Sequence, residues 1–527
     1  MRTISSDEIL VLQQQGCTAV DWQYVQVDEP FIPYLIQNVR FTGRVYIGSG
    51  VTLRNICDLG SMGHTTFANG IEVGVLREDG GMEVVIHDDL SSMEAAFEVY
   101  EAQRQPELVH AMQQAARAQA EARACDGSVI ETGAVVTDVR QLTDVHIGAY
   151  AHVVGAIRLS DVSLCSRSDA ESRVGDGVIL EHVIISEGSH VGDGAQLDNC
   201  FVGQGCHIGR MYSATQSLFF ANCHFENGEA CAYFAGPYSV SHHKATLMIA
   251  CMTSFFNAGS GSNQSNHSYK MGPNKYGQLQ RGAKLGSSSY VYWPMQVGAF
   301  STVIGHHTGH QDLVDLPFSL ITEGPDGTHI IPGQAFRSVG TRRDSAKWPK
   351  RDKRPESARR DLICFDMLNP YTVGYILRGL DVLQRMKEQG HNDYRGCRIA
   401  SHHITRGIQL YQQALDIYVG QALERLASTP ACLMAVDAAQ CTGDWADYGG
   451  MIVPRQLMLQ ALADGRSFAD VQLMLPTAER DWLSAHFDIS DPEASIARSH
   501  QALDQLNAAL DQDAERDLEA AALELRF

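Results

Sequence analysis

The sequence lacks the features of membrane, exported and nucleic-acid-binding proteins. It contains no apolar run of about 18 residues, and its first residues lack the basic start and apolar core of a secretion signal. We therefore predict a cytoplasmic protein with no membrane partner. Basic residues are also scarce, since 41 Lys and Arg stand against 62 Asp and Glu, giving a formal net charge of −21. Nucleic-acid binders usually present a basic face, so no nucleic-acid partner is predicted.

Cysteine is present without a framework. The 13 cysteines are scattered and form no CxxC pair. Cys165, Cys200 and Cys206 fall within a repeat of aliphatic residues, and we interpret them as small buried hydrophobic residues.

That repeat is the main positive signal. Ile130, Ile147 and Leu164 follow one another at equal intervals. Between Val174 and Ile208 the aliphatic residues are five or six positions apart, at Val174, Leu180, Ile185, Val191, Leu197, Val202 and Ile208. This hexapeptide spacing is typical of a parallel β-helix, in which each aliphatic side chain points inward and a following small residue allows the backbone to turn.

Breaks in the repeat predict the domain organisation. A helical pattern begins at Ser91, hexad spacing returns at Leu285 after a polar stretch, and a basic segment with prolines precedes a helical C-terminal part. We predict an N-terminal cap at 1–34, first β-helix coils at 35–90, a helical insertion at 91–126, the main β-helix at 127–335 with decorated loops at 211–284, a basic connector at 336–355, and a helical C-terminal domain at 356–527.

The repeat resembles the left-handed β-helix of hexapeptide-repeat acyltransferases and of the tail domains of sugar-nucleotide enzymes. The resemblance covers roughly residues 35–70 and 127–335. It implies a left-handed parallel β-helix, a homotrimer and active sites between neighbouring chains. With the connector Lys347–Asp352 and the helical tail, the chain also looks like an uncharacterised bacterial family that is often labelled sugar-nucleotidyltransferase by analogy.

Reactive and polar side chains are concentrated between residues 221 and 310. Coils one turn apart lie about 5 Å apart, so distant histidines can share a pocket. An imidazole can accept a proton near neutral pH, and we select His267 first and His243 second as the catalytic base. Amide, hydroxyl and ammonium groups nearby suit a polyol or an anion, and we predict that the substrate is bound by Asn257, Asn263, Gln264, Asn266, Tyr269, Lys270, Lys275 and Lys284.

A second histidine group, His306, His307 and His310, offers an alternative metal site. It is superficially similar to the three-histidine zinc site of gamma-type carbonic anhydrases, and three protein ligands plus water are usual for catalytic zinc. Flanking glycines also fit an ordinary turn, so the primary hypothesis requires no metal.

Three functions remain open from the sequence. The first is a transferase that moves an acyl group from acyl-CoA to an amine or hydroxyl of a sugar or sugar nucleotide. The second is a metal-dependent carbohydrate-active lyase or hydrolase that uses the His306–His310 group. The third is a non-catalytic scaffold that binds a sugar phosphate and contacts a partner through its helical tail.

Overall fold

The computed structural model describes residues 1–429, 434 and 436–524. The chain is a parallel β-solenoid of about 18 turns with helices, including a C-terminal helical region, which confirms the predicted fold class. It consists of two compact units, one made of Met1–Gly277 with Asp352–Asp361, the other of Gln278–Arg351 with Leu362–Phe527.

The first unit contains most of the solenoid strands and the inserted helices. Its α-helices are Ser6–Gln14, Ser92–Glu101 and Pro106–Ala122. Its strands are Arg2–Thr3, Thr18–Ala19, Val25–Val27, Leu35–Phe41, Val45–Ile47, Thr52–Gly60, Glu72–Gly74, Glu83–Val85, Ser128–Ile130, Val135–Ile147, His152–Val154, Arg158–Leu164, Arg173–Val174, Ile179–Ile185, His190–Val191, Gln196–Val202, His207–Gly209, Ser213–Phe219, His224–Glu226, Glu229–Cys231, Phe234–Ala235, Val240–Ser241, Leu247–Ile249, Cys251–Thr253, Asn257–Ala258 and Asn263–Ser265.

The second unit combines short strands with long helices. Its α-helices are Val339–Lys347, Pro370–Gln389, Ser401–Ser428, Ala438–Cys441, Arg455–Ala463, Phe468–His486 and Pro492–Glu524. Its strands, apart from Gly277–Leu279 at the boundary, are Lys284–Leu285, Tyr290–Tyr292, Gln296–Val297, Thr302–Ile304, His306–His307, Asp312–Leu313, Leu320–Gly324, Gly327–Ile331, Asp393–Tyr394, Cys397–Arg398, Trp445–Tyr448 and Met451–Pro454. Residues 430–433, 435 and 525–527 of the predicted helical segment lie outside the described residues.

The register of the coils follows the aliphatic repeat. Ile147 pairs with Ile130 on one side and with Leu164 on the other. Val191 likewise lies between its partners Val174 and Ile208. These side chains are buried and form the solenoid core. The interval that separates Ile130 from Ile147, and Val174 from Val191, therefore corresponds to one turn of the solenoid.

The turns between strands use the left-handed backbone region repeatedly. Asp161, His182, Asn199 and Gln216 have φ values of 53°, 54°, 49° and 49°. Asp and Asn tolerate this region better than most residues because their short polar side chains bond locally. Each of these residues lies between two inward-facing stretches, so the corners stack from coil to coil.

The inserted helical arm contains a buried acid. Glu98, in the helix Ser92–Glu101, is 1% exposed. Gln113 Nε2 donates a hydrogen bond to Glu98 Oε2 at 3.0 Å. Burial, together with the nearby Glu94, raises the pKa of Glu98 to about 8. The carboxyl group is therefore mainly protonated at neutral pH.

We expect the Glu98→Gln variant to lose less stability than the wild type as the pH becomes alkaline. The folded protein keeps the Glu98 proton up to about pH 8, whereas the unfolded chain releases it above its ordinary pKa. Glu98 therefore favours folding at acid pH, and this contribution declines as the pH rises through that window. Thermal midpoints of the wild type and Glu98→Gln should diverge between about pH 5 and about pH 9, with the variant more stable at the higher pH. Glu107→Gln is the control, because Glu107 is exposed. Equal pH profiles for the wild type and both variants would refute the assigned role of Glu98.

Among the described residues, no helix has both the length and the apolar character needed to cross a bilayer.

Candidate functional site

Four imidazoles stack on consecutive coils of the first unit. We call His190, His207, His224 and His242 the histidine ladder. The ring centroids are 5.0 Å apart for His190 and His207, and 4.6 Å apart for His207 and His224. His224 and His242 follow at 4.4 Å. All three contacts are edge-to-face, an arrangement that aromatic rings prefer over direct stacking.

Strand register produces the first three steps of the ladder. His190 pairs with His207, and His207 pairs with His224. The residue after each histidine is a buried hydrophobic one, namely Val191, Ile208 or Phe225. Because successive side chains of a strand point to opposite faces, the three imidazoles all point out of the core on one face.

Glu226 connects the ladder. Its side chain is 8% exposed, and its Oε1 lies 3.1 Å from Nε2 of His224 and 3.5 Å from Nε2 of His207. Its Oε2 lies 3.1 Å from a guanidinium nitrogen of Arg210 and 4.0 Å from Nδ1 of His242. One buried carboxylate thus contacts or approaches three imidazoles and one arginine.

Glycines leave space beside the ring nitrogens. Gly209 pairs with Glu226 on the next coil. At this register position one coil has no side chain and the next coil has the Glu226 carboxylate. A Cβ at Gly209 would lie 3.3 Å from Nε2 of His207, and one at Gly192 would lie 2.8 Å from Nε2 of His190. A larger residue at either position would crowd the imidazole.

The ladder keeps its imidazoles neutral near pH 7. Burial lowers the pKa of His190, His207 and His242, and it lowers the pKa of His224 to about 4 despite the hydrogen bond with Glu226. Burial works against ionisation of Glu226, but the contacts with His224 and Arg210 outweigh it and lower the Glu226 pKa. A neutral imidazole can accept a proton or ligate a metal ion. The arrangement can therefore support either chemistry.

The predicted base His243 lies beyond the end of the ladder. Its ring centroid is 6.5 Å from that of His242, and its side chain is exposed. The turn that carries it is held from both sides, because Asn227 Nδ2 donates to the His242 carbonyl at 3.0 Å and Asn263 Nδ2 donates to the Ala245 carbonyl at 3.3 Å. Two predicted site residues, His243 and Asn263, therefore belong to neighbouring coils that meet at this turn.

The other predicted substrate-binding residues divide into exposed and structural ones. Asn257 is exposed on the coil next to Val240. Gln264 and Asn266 are buried. Gln264 accepts a hydrogen bond from the Ile249 amide at 2.9 Å, and Asn266 donates one to Glu78 Oε1 at 2.6 Å. Gln264 therefore links two coils of the solenoid, and Asn266 links the solenoid to the hairpin of strands Glu72–Gly74 and Glu83–Val85.

The first-choice base, His267, is exposed and follows the strand Asn263–Ser265. In the same loop Tyr269 is 88% exposed, and the Lys270 ammonium lies 5.3 Å from the centre of its ring. Lys275 is half-buried. Lys284 lies in the second unit, where it forms an ion pair with Asp344 at 2.7 Å. The catalytic and binding roles assigned to these residues remain predictions.

The structure gives the three histidines of the alternative metal site different environments. His306 and His310 are exposed, whereas His307 is 1% exposed. Both ring nitrogens of His307 have partners, since Nδ1 lies 2.9 Å from Thr328 Oγ1 and Nε2 lies 3.2 Å from the Ile304 carbonyl oxygen. In the described part of the chain, the donor set compatible with a metal ion is a different one: His207, His224 and Glu226.

None of the ladder histidines is among the predicted site residues, although the sequence contains a signal for them. His190, His207 and His224 recur at the same interval as the aliphatic positions that follow them. The predicted site residues are close together in sequence, whereas a solenoid brings together histidines that are one turn apart.

The helical part of the second unit contains a cavity of about 780 Å³ lined by residues that include Arg342, Tyr418 and Arg425. Arg425 donates two hydrogen bonds to Glu479, at 2.8 and 2.9 Å, so the charge of Arg425 is already paired. The ladder combines more titratable groups at shorter distances, and we take it as the candidate site.

Comparison with known proteins relates most of the chain to one family. A family described as "Domain of unknown function (DUF4954)" matches residues 1–56 and 46–387. The chain is also 24% identical over 565 aligned residues to an uncharacterized protein of Treponema pallidum (strain Nichols). The alignment covers 88% of this chain and 78% of that protein. Because the family match extends over more than half of the sequence, the chain belongs to the DUF4954 family.

Proposed function

We propose that the chain is a transferase that moves an acyl group from acyl-CoA to an amine or hydroxyl of a sugar or sugar nucleotide. The observation that carries the proposal is the turn at the end of the ladder, where the exposed imidazole of His243 lies on the coil adjacent to Asn263. The β-solenoid is compatible with the resemblance to hexapeptide-repeat acyltransferases. Assembly into trimers is part of the same proposal.

In this reaction His243 acts as general base. It takes the proton from the acceptor hydroxyl or amine while the acceptor oxygen or nitrogen attacks the thioester carbonyl carbon. The bond from that carbon to sulfur then breaks, and the coenzyme A thiolate leaves and takes up a proton. The exposed amide of Asn257 is suited to donate hydrogen bonds to sugar hydroxyls or to the oxyanion. Asn263 can accept a hydrogen bond from a sugar hydroxyl through Oδ1, because its Nδ2 already donates to the Ala245 and Gly261 carbonyls.

The test is release of free thiol from a panel of acyl-CoA donors with sugar and sugar-nucleotide acceptors. His243→Ala is expected to lower kcat/KM by about 10²- to 10⁴-fold, the usual contribution of a general base. His267→Ala tests the other predicted base under the same conditions. His391→Ala, an exposed histidine of the second unit, is the control and should retain full activity.

Two results would reject the proposal. One is absence of thiol release with every donor and acceptor. The other is an active enzyme whose rate is unchanged in both the His243→Ala and His267→Ala variants.

A further inference from the structure

The donor set within the ladder has the composition and spacing of a metal site. One nitrogen from His207, one from His224 and one carboxylate oxygen from Glu226 all lie within 4.8 Å of one another. Around a tetrahedral ion with bonds of 2.0–2.1 Å, two ligand atoms are separated by about 3.3 Å. The two distances from Glu226 Oε1, 3.1 Å to His224 and 3.5 Å to His207, bracket that value. Small side-chain shifts would therefore complete the site.

The surroundings keep this donor set accessible to an ion. Gly209 leaves open the volume beside Nε2 of His207, which a Cβ would enter at 3.3 Å. Arg210, the competing partner of Glu226, is 63% exposed. Because the Arg210 side chain can move into solvent, a divalent ion can replace it as the main positive charge beside the carboxylate.

We infer that His207, His224 and Glu226 bind one divalent first-row transition metal ion, such as zinc. Two imidazole nitrogens and one carboxylate oxygen suit such ions, whereas calcium and magnesium prefer oxygen ligands alone. Three protein ligands leave a position for water, as in catalytic rather than structural zinc sites. This inference does not depend on acyl transfer, because it concerns binding in the absence of any substrate.

The ladder supplies its own control. His190 contacts the His207 ring at 5.0 Å, but it is not part of the donor set. Removing its imidazole therefore changes the stack without removing a ligand. His402 and His403, whose rings are 3.9 Å apart in the second unit, are a second control for adventitious binding to neighbouring histidines.

The experiment is calorimetric titration of the full-length, chelator-treated protein with ZnCl₂ alone. We expect one zinc ion per chain. The affinity for zinc should fall at least about 100-fold in His224→Ala and in Glu226→Gln, because loss of a group that only supports a metal ligand already lowers metal affinity about 10- to 100-fold. His190→Asn and the His402→Asn/His403→Asn double variant should bind as the wild type does. Equal affinity in wild type and Glu226→Gln, or loss of binding only in the His402/His403 variant, would overturn the inference.

A second measurement remains informative if the ligand variants fail to fold. Co²⁺ added to the wild-type chain should give visible absorption of a site with nitrogen and oxygen ligands. A thiolate-to-cobalt charge-transfer band would instead identify a cysteine ligand and would contradict the assignment. No absorption above that of free Co²⁺ would mean that the ladder is a hydrogen-bonded structural stack without a metal.

Discussion

Replacing Phe225 with alanine is expected to lower the free energy of unfolding of the solenoid by about 3–5 kcal/mol. Phe225 is fully buried, and its ring lies 4.9 Å from Phe219, 5.4 Å from Tyr212 and 6.0 Å from Tyr233. Truncation removes a large apolar surface and leaves a cavity among rigid rings, which cannot collapse to fill it. Phe225 also separates His224 from Glu226, so the same change should loosen the ladder.

Urea denaturation followed by circular dichroism measures this effect. The matched control is Tyr34→Ala, because Tyr34 is an aromatic residue of the same unit that is 83% exposed. Its replacement should change the unfolding midpoint little. If Phe225→Ala shifts the midpoint no more than Tyr34→Ala does, the aromatic core is not packed as described.

The second large effect is expected for Arg360→Ala, at about 3–5 kcal/mol, because it leaves a buried acid without its charged partner. Arg360 donates to Glu187 through both terminal nitrogens, at 2.6 and 2.7 Å, and the Glu187 side chain is only 10% exposed. The segment that carries Arg360 is anchored further by Asp361, which accepts hydrogen bonds from the Ser92 amide at 2.7 Å and the Ala221 amide at 3.3 Å. These contacts hold Asp352–Asp361 within the first unit.

A double-variant cycle separates pairing from other losses. Glu187→Gln/Arg360→Ala should be more stable than Arg360→Ala alone, because the unpaired buried charge is gone. Arg385→Ala is the control, since its pair with Asp381 is exposed by 60% and 65% and is expected to contribute about 0–1 kcal/mol. A double variant less stable than Arg360→Ala would contradict this account.

Much of the fold could be predicted because one physical constraint repeats. Each coil must bury an aliphatic residue at the same place, so Val174, Val191 and Ile208 recur at a fixed spacing and pair in register. The spacing fails where a coil contains extra residues. Leu159 pairs with Leu180 across a longer interval, and Arg167 and Ala170 form a bridge within the additional turn. A pattern of inward residues does not report such insertions.

The candidate site was harder to predict from the sequence for the same reason. His190, His207 and His224 could have been aligned by the spacing alone. His242 could not, because His224 pairs with Val240 and His242 joins the ladder from the turn two residues later. The role of Gln264 was also hidden, since an amide side chain that binds the neighbouring backbone has the same sequence signal as one that binds a sugar.

A crystal structure of the full-length chain would show whether a one-turn register stacks the ladder histidines around Glu226. We predict ring centroids of His207 and His224 4.6 Å apart, with Glu226 Oε1 3.1 Å from Nε2 of His224 and 3.5 Å from Nε2 of His207. A structure in which His207 and His224 occupy different faces of the solenoid, or lie more than one coil spacing of about 5 Å apart, would contradict it.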